Sequence, residues 1–146
     1  MTTKSAGMST QFKRILVTGA TGFLGHHIVP ALRASFQAEI IGVGRKDYDL
    51  LACGQAEAML AAIKPDAVVH LAARVGGIIA NKKYPADFFY QNVTINTALF
   101  HAAYKAGIKK LLTLIGSCCY PEEVRSPYGE AQLWNGLPYM GSVGYA

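Results

Sequence analysis

No uninterrupted apolar run among the 146 residues approaches the roughly 20 that a membrane-spanning helix needs. The polar start, Met1 to Thr10, also lacks the apolar segment of a signal peptide, so a cytoplasmic protein without a membrane partner is expected. Cysteine is scarce. Cys53, Cys118 and Cys119 make an odd set, and a bridge between the adjacent pair would be strained, so free thiols in a reducing compartment are expected. His26, His27, His70 and His101 share no metal-ligand spacing with these thiols; no metal site and no catalytic histidine is assigned. Charged residues make up only 16% of the chain, and the net charge of +5 comes from scattered Lys and Arg. Without a basic stripe interleaved with aromatics, a nucleic-acid partner is not expected, and a polyphosphate small molecule accounts for the sign as well. There is no internal repeat and no low-complexity segment.

What the chain does have is 51% apolar content, enough for one domain with a real core. Its apolar residues come in short blocks. Arg14 to Thr18, Glu39 to Val43, Ala67 to Leu71 and Lys110 to Ile115 read as buried strands. Gly22 to Phe36, Gln55 to Lys64 and about Ala86 to Ala106 read as helices between them, with a loop at Gly76-Gly77 before the third. The first helix is expected to present Leu24, Ile28, Ala31 and Leu32 to the sheet and to kink at Pro30; Pro65-Asp66 and Gly107 end the second and third. Tyr48 to Leu51 is left open as a short edge strand. Nearly all-apolar strands alternating with helices predict an α/β fold, a doubly wound parallel sheet of Rossmann type. Residues 14–146 are assigned to that domain and 1–13 to a flexible segment. Only four firm strands and a Gly- and Pro-rich end from Tyr120 predict a truncated domain, since such folds carry about six strands.

Between the first strand and its helix lies Thr18-Gly19-Ala20-Thr21-Gly22-Phe23-Leu24-Gly25. Gly19 can take backbone angles closed to other residues, Gly22 lets a pyrophosphate approach the main chain, and Gly25 lets the helix pack on its strand. The helix start then offers unpaired N–H groups and a positive dipole end to an anion. Gly19, Thr21, Gly22, Phe23, Leu24 and Gly25 are therefore assigned to a dinucleotide. Arg45 follows the second strand, where an acid would bind a ribose 2′-hydroxyl and an arginine suits a 2′-phosphate, so NADP(H) is expected, with NAD(H) the alternative. Asp49 and Leu50 are placed at the adenine edge. Leu71, Ala72 and Ala73 fall where the chain would pass the cofactor's phosphates and ribose. Asn92 on the long helix is either a support for active-site backbone or a surface amide.

Further residues carry a resemblance. Val69-His70-Leu71-Ala72-Ala73-Arg74-Val75-Gly76-Gly77-Ile78, Asn81, Tyr84-Pro85-Ala86-Asp87-Phe88, Gln91-Asn92, Ser117-Cys118-Cys119-Tyr120-Pro121 and Leu133-Trp134-Asn135-Gly136 together resemble the GDP-L-fucose synthase family. That family belongs to the extended short-chain dehydrogenase/reductases, also called NAD-dependent epimerases/dehydratases. The likeness runs from about Arg14 to the end and corresponds to the cofactor half of a longer family chain. It implies conversion of GDP-4-keto-6-deoxy-D-mannose to GDP-L-fucose by epimerisation at C3 and C5 and NADPH reduction at C4, in a homodimer when full length. It places Tyr145 at the start of the family's Tyr-x-x-x-Lys motif, with the lysine beyond Ala146, and Cys118 at the epimerisation cysteine. The family's serine falls on Gly116; either Ser117 fills that role through a one-residue shift of the loop, which we expect, or the role is vacant. With the lysine and the sugar-binding half outside the chain, no turnover is expected from it alone. Another sugar-nucleotide epimerase or dehydratase and a non-catalytic NADP-binding module are the alternatives.

Overall fold

In a computed structural model, residues 12–138 and 140 are described. The chain runs β1 (Arg14–Thr18), α1 (Phe23–Ser35), β2 (Glu39–Val43), α2 (Gln55–Ile63), β3 (Ala67–His70), α3 (Ile78–Lys83), α4 (Pro85–Lys105) and β4 (Lys110–Thr113). All four strands are parallel, in the order β2-β1-β3-β4, with Leu16 of β1 opposite Ile41 and Val68. This is the expected Rossmann-type sheet. Alternation along β1 sends Ile15 and Val17 to one face, packed with Val29, Leu32 and Phe36 from α1 and its end. Leu16 goes to the other face, with Met59 and Leu60 of α2 and Leu99, Ala102 and Ala103 of α4. Each fully buried aliphatic side chain there contributes about 1.5–3 kcal/mol.

The helix stops follow local chemistry. Pro85 opens α4, where its missing N–H costs nothing. Gly107 at φ +70° closes it, with Ile108 N–H donating to the Ala103 carbonyl at 2.9 Å. The start of β1 is pinned by Asp66, whose carboxylate accepts the backbone N–H groups of Lys13 and Arg14 at 2.7 and 2.8 Å. Those two donors, Arg14 first, hold the Asp66 carboxyl below its ordinary pKa.

The structure decides one open reading and corrects two expectations. Tyr48 to Leu51 is a turn, not a strand: the Gly44 carbonyl takes the Tyr48 N–H at 3.1 Å and the Asp49 carboxylate takes the Leu51 N–H at 3.1 Å. Local acceptors, one backbone and one side-chain, thus occupy donors that a ladder would need. The buried stripe of α1 is Gly25 and Val29, with Leu32 half-buried, while Leu24 and Ala31 are exposed. Close approach at Gly25 rotates the helix so that its glycine, rather than a leucine, meets the turn. Past Gly76-Gly77 the chain forms the short α3 instead of a loop, with the Asn81 amide donating to the Gly76 carbonyl at 2.9 Å. Helix α1 continues past Pro30, which lies on its exposed side.

Candidate functional site

The sheet order creates the site. The connection from β1 to β2 covers one face through α1, and the connection from β2 to β3 crosses back over β1 on the other face through α2. At the carboxyl ends of β1 and β3 the two windings part and leave a crevice. A cavity of about 780 Å³ opens there. Its floor is the turn after β1, with Gly19 at φ +70°. A Cβ on Gly19 would sit 2.8 Å from the Ala72 nitrogen, so the turn lies directly against the chain leaving β3. Ala20 N–H donates to the Val43 carbonyl at 3.0 Å, and Leu71 N–H to the Thr18 carbonyl at 3.2 Å, tying the turn to both neighbours.

Gly22 caps α1 without any side-chain hydrogen bond, and the first turn of α1 holds no acidic residue. Its leading N–H groups and positive dipole end are therefore available to an anion in the crevice. Of the twelve residues assigned to a cofactor from sequence, Gly19, Thr21, Gly22, Phe23, Leu24, Arg45, Asp49, Leu50, Leu71, Ala72 and Ala73 line the cavity. Gly25 does not. It is buried beneath the turn, where a Cβ would approach the carbonyl oxygens of Gly19 and Ala20 to 2.4 Å. The exposed Leu24 faces the cavity, which accounts for its absence from the core. At the outer end Arg45 Nε donates to Asp49 Oδ2 at 3.2 Å; the arginine is largely in solvent and the aspartate partly so, and the pair orients the guanidinium more than it stabilises the fold.

Sequence reasoning did not foresee the polar thread that braces the crevice. His70, 2% exposed at the end of β3, lies between Thr18 of β1 and Asn96 of α4. Asn96 Nδ2 donates to the Asn92 carbonyl at 2.9 Å, which leaves Asn96 Oδ1 to accept from His70 Nε2–H at 3.1 Å. His70 Nδ1 is then the acceptor and takes the Thr18 hydroxyl proton at 2.7 Å. Burial pushes the His70 pKa below its ordinary value, only partly offset by Asn96, so the ring is neutral as this pattern requires. One turn earlier on α4, Asn92 accepts the Arg74 N–H at 2.8 Å and donates to the Arg74 carbonyl at 3.1 Å. Of the two readings of Asn92, the structure selects backbone support. A buried histidine on an otherwise apolar strand was the one available sequence signal for this thread.

Ser117 and Cys118 occupy the 3-10 turn Ser117–Cys119 just after β4, at the same carboxyl end of the sheet as the crevice but not among the cavity's lining residues. Ser117 is exposed and both cysteines are half-buried free thiols. Burial and the neighbouring Cys118 raise the Cys119 pKa, against the lowering effect of a backbone contact at Gly116. Tyr145 lies outside the described residues. Among the described residues, no three or more of His, Cys, Asp and Glu are grouped to hold a metal ion, and no helix is long and apolar enough to cross a membrane.

The chain is similar to known proteins. The sequence model of the NAD dependent epimerase/dehydratase family matches residues 15–141. A GDP-L-fucose synthase of Sinorhizobium fredii is 40% identical over 124 residues, covering 85% of this chain and 39% of its own. Among solved structures, a GDP-L-fucose synthetase from Naegleria fowleri bound to NADP superposes with a TM-score of 0.77 at 29% identity, over 91% of this chain and 40% of that one. A GDP-mannoheptose C4 reductase from Campylobacter jejuni with NADP bound gives 0.84 at 27% identity, over 95% and 44%. The chain thus spans about two fifths of the length of each protein it matches here.

Proposed function

Because this chain belongs to the NAD dependent epimerase/dehydratase family, we propose that it is the NADP(H)-binding part of a nucleotide-sugar epimerase-reductase of the GDP-L-fucose synthase kind. The observation that carries this is the crevice at the β1/β3 switch point, floored by a turn whose Gly19 no side chain could replace. Those residues fit a dinucleotide. The open N–H groups of α1 suit its pyrophosphate, the small Ala72 and Ala73 leave room for ribose, and Asp49 and Leu50 stand where the adenine edge would lie. Among the described residues, Arg45 is held by Asp49 at 3.2 Å through Nε, which leaves its terminal nitrogens for a 2′-phosphate.

When bound, reduced nicotinamide supplies a hydride. Around it, the chain's own groups would handle protons. Cys118 would take a proton from a carbon beside the sugar's keto group, leaving an enolate. Ser117 would donate a hydrogen bond to the keto oxygen, and Tyr145 would protonate that oxygen as the carbonyl is reduced. Cys119, whose thiol burial keeps protonated, suits packing, which favours Cys118 as the exchanging group. GDP-sugars are the favoured substrates because the relatives named above act on or are named for them. Exposed Phe89, Val93, Phe100 and Tyr104, on one face of α4, support a homodimer, which sedimentation velocity tests.

Titration with NADPH and NADH tests the cofactor. Charge-assisted hydrogen bonds contribute roughly 1.5–3 kcal/mol, so Arg45→Ala is expected to weaken NADPH about tenfold to hundredfold and to leave NADH nearly unchanged. Equal losses for both would remove the assignment. For the chemistry, Cys118→Ser in the full-length enzyme is expected to suppress solvent-deuterium exchange into the sugar far more than C4 reduction, with Cys119→Ser affecting neither strongly. The reverse pattern would shift the assignment by one residue.

A further inference from the structure

We propose that Arg74 is a second fixed cation of the crevice and holds the pyrophosphate of the bound dinucleotide; this rests on the dinucleotide reading above. Among the described residues, the charged side chains lining the cavity are Arg45, Asp49 and Arg74. Arg45 and Asp49 are paired with each other, and among the described residues no salt bridge engages Arg74. A pyrophosphate carries two negative charges, whereas the glycine turn offers N–H groups and a helix dipole but no cationic side chain. One full positive charge on the wall beside that turn is the missing complement.

The position is suitable. Gly19 lies against the Ala72 backbone, with only 2.8 Å between its would-be Cβ and the Ala72 nitrogen. Arg74 follows two residues later, at most about 7 Å along the chain, which a guanidinium side chain can span back toward the turn. The side chain is also held. Its Cζ lies 4.8 Å from the centroid of the Phe88 ring, which is 3% exposed. Gly76 makes room for that ring, since a Cβ there would come within 2.8 Å of Phe88 Cζ. The peptide groups of Arg74 are clamped on both sides by the Asn92 amide at 2.8 and 3.1 Å. A guanidinium stacked on a buried ring and anchored through its own backbone loses little freedom on meeting an anion. This braced arrangement differs from that of Arg45, which stands 74% exposed on a turn.

The two arginines therefore answer to different parts of one ligand, and four probes separate them. Isothermal titration of the parent protein, Arg74→Ala, Arg74→Lys and Arg45→Ala would use NADPH, NADH, adenosine 2′,5′-bisphosphate and GDP, with thermal unfolding of each variant alongside. Arg74→Ala is expected to weaken NADPH and NADH alike, by about tenfold to hundredfold. It should spare adenosine 2′,5′-bisphosphate, which has no pyrophosphate, and leave the unfolding midpoint within a few degrees of the parent. Arg74→Lys should recover part of the loss, because it keeps the charge without the planar fork. Arg45→Ala should show the crossed pattern, losing NADPH and the bisphosphate but not NADH. Unchanged binding of both dinucleotides to Arg74→Ala would overturn the proposal while leaving the dinucleotide reading intact, and so would a loss confined to GDP, which would move Arg74 to the diphosphate of a sugar nucleotide. Failure of the parent protein to bind either dinucleotide would overturn both.

Discussion

The turn after β1 and the segment after β4 both sit at the carboxyl end of the same sheet, yet they are built differently. The turn is held by hydrogen bonds to β2 and to the chain leaving β3, by backbone contact between Gly19 and Ala72, and by Gly25 wedged beneath it. From Leu114 onward, the described backbone is two 3-10 turns and one isolated bridge, Pro121 to Pro138. Leu114 and Ile115 are exposed, and the stack of Tyr120 on Tyr128 at 4.8 Å is the main aromatic contact. Binding an anion needs donors that do not move, and the turn supplies them by burial. The candidate proton-moving groups sit on a segment with far fewer ties. A binding site assembled from strand ends is thus rigid by construction, while the adjacent chemical segment takes its position from weaker local contacts.

Three changes would break or sharpen that contrast. The largest effect is expected at Gly25→Ala, because its Cβ would stand 2.4 Å from two backbone oxygens that cannot swing aside. A cost of about 3 kcal/mol or more, at the upper end of overpacking penalties, should lower the unfolding midpoint by about 10 °C and abolish NADPH binding. Retention of both would mean that α1 is not clamped to the turn as described.

Next comes His70→Ala, which strands the Thr18 hydroxyl and the Asn96 carbonyl oxygen in a buried site; about 2–4 kcal/mol is expected from chemical denaturation. The parent protein should also show a matching pH dependence. The His70 pKa is lowered on folding, so the unfolded chain binds the extra proton first. Its stabilising contribution is fully present above the unfolded value of about 6.5 and is lost as pH falls below it toward the folded value. In that window His70→Ala should have the flatter profile; parallel profiles would assign the dependence to another group.

The smallest effect is expected at Tyr128→Ala. Removing a half-exposed stacked ring should cost about 1 kcal/mol or less in global stability and leave NADPH affinity unchanged, since nothing in the turn depends on it. A loss comparable to that of Gly25→Ala would erase the distinction between the two regions.

The glycine turn and the residues that line the crevice were legible because their chemistry is local. A strand ending in Thr18, glycines at Gly19, Gly22 and Gly25, and an arginine after the second strand each restrict the backbone or place a charge within a few residues. The strand and helix order followed from apolar blocks and from the stops at Pro65 and Gly107, and here the expected and observed bounds of β1 and β2 coincide. Periodicity had less to say about which side of α1 is buried. A small residue at a close contact outweighed hydrophobicity, and only packing reveals how near the turn lies to the helix. The run Tyr48 to Leu51 was open to a strand, but the Gly44 carbonyl and the Asp49 carboxylate captured two of its backbone donors.

By itself, then, the sequence determined a parallel α/β sheet with a glycine-rich turn at the end of its first strand, because glycine geometry and apolar blocks act over short separations. Only the tertiary structure decided what stands around that turn. Thr18, His70, Asn96 and Asn92 come from one strand end, another strand end and two successive turns of α4, and together they carry the brace to the backbone of Arg74. Nothing in their spacing announces a network. Strand order set which ends became neighbours, and burial then required every polar atom brought there to find its partner across the fold.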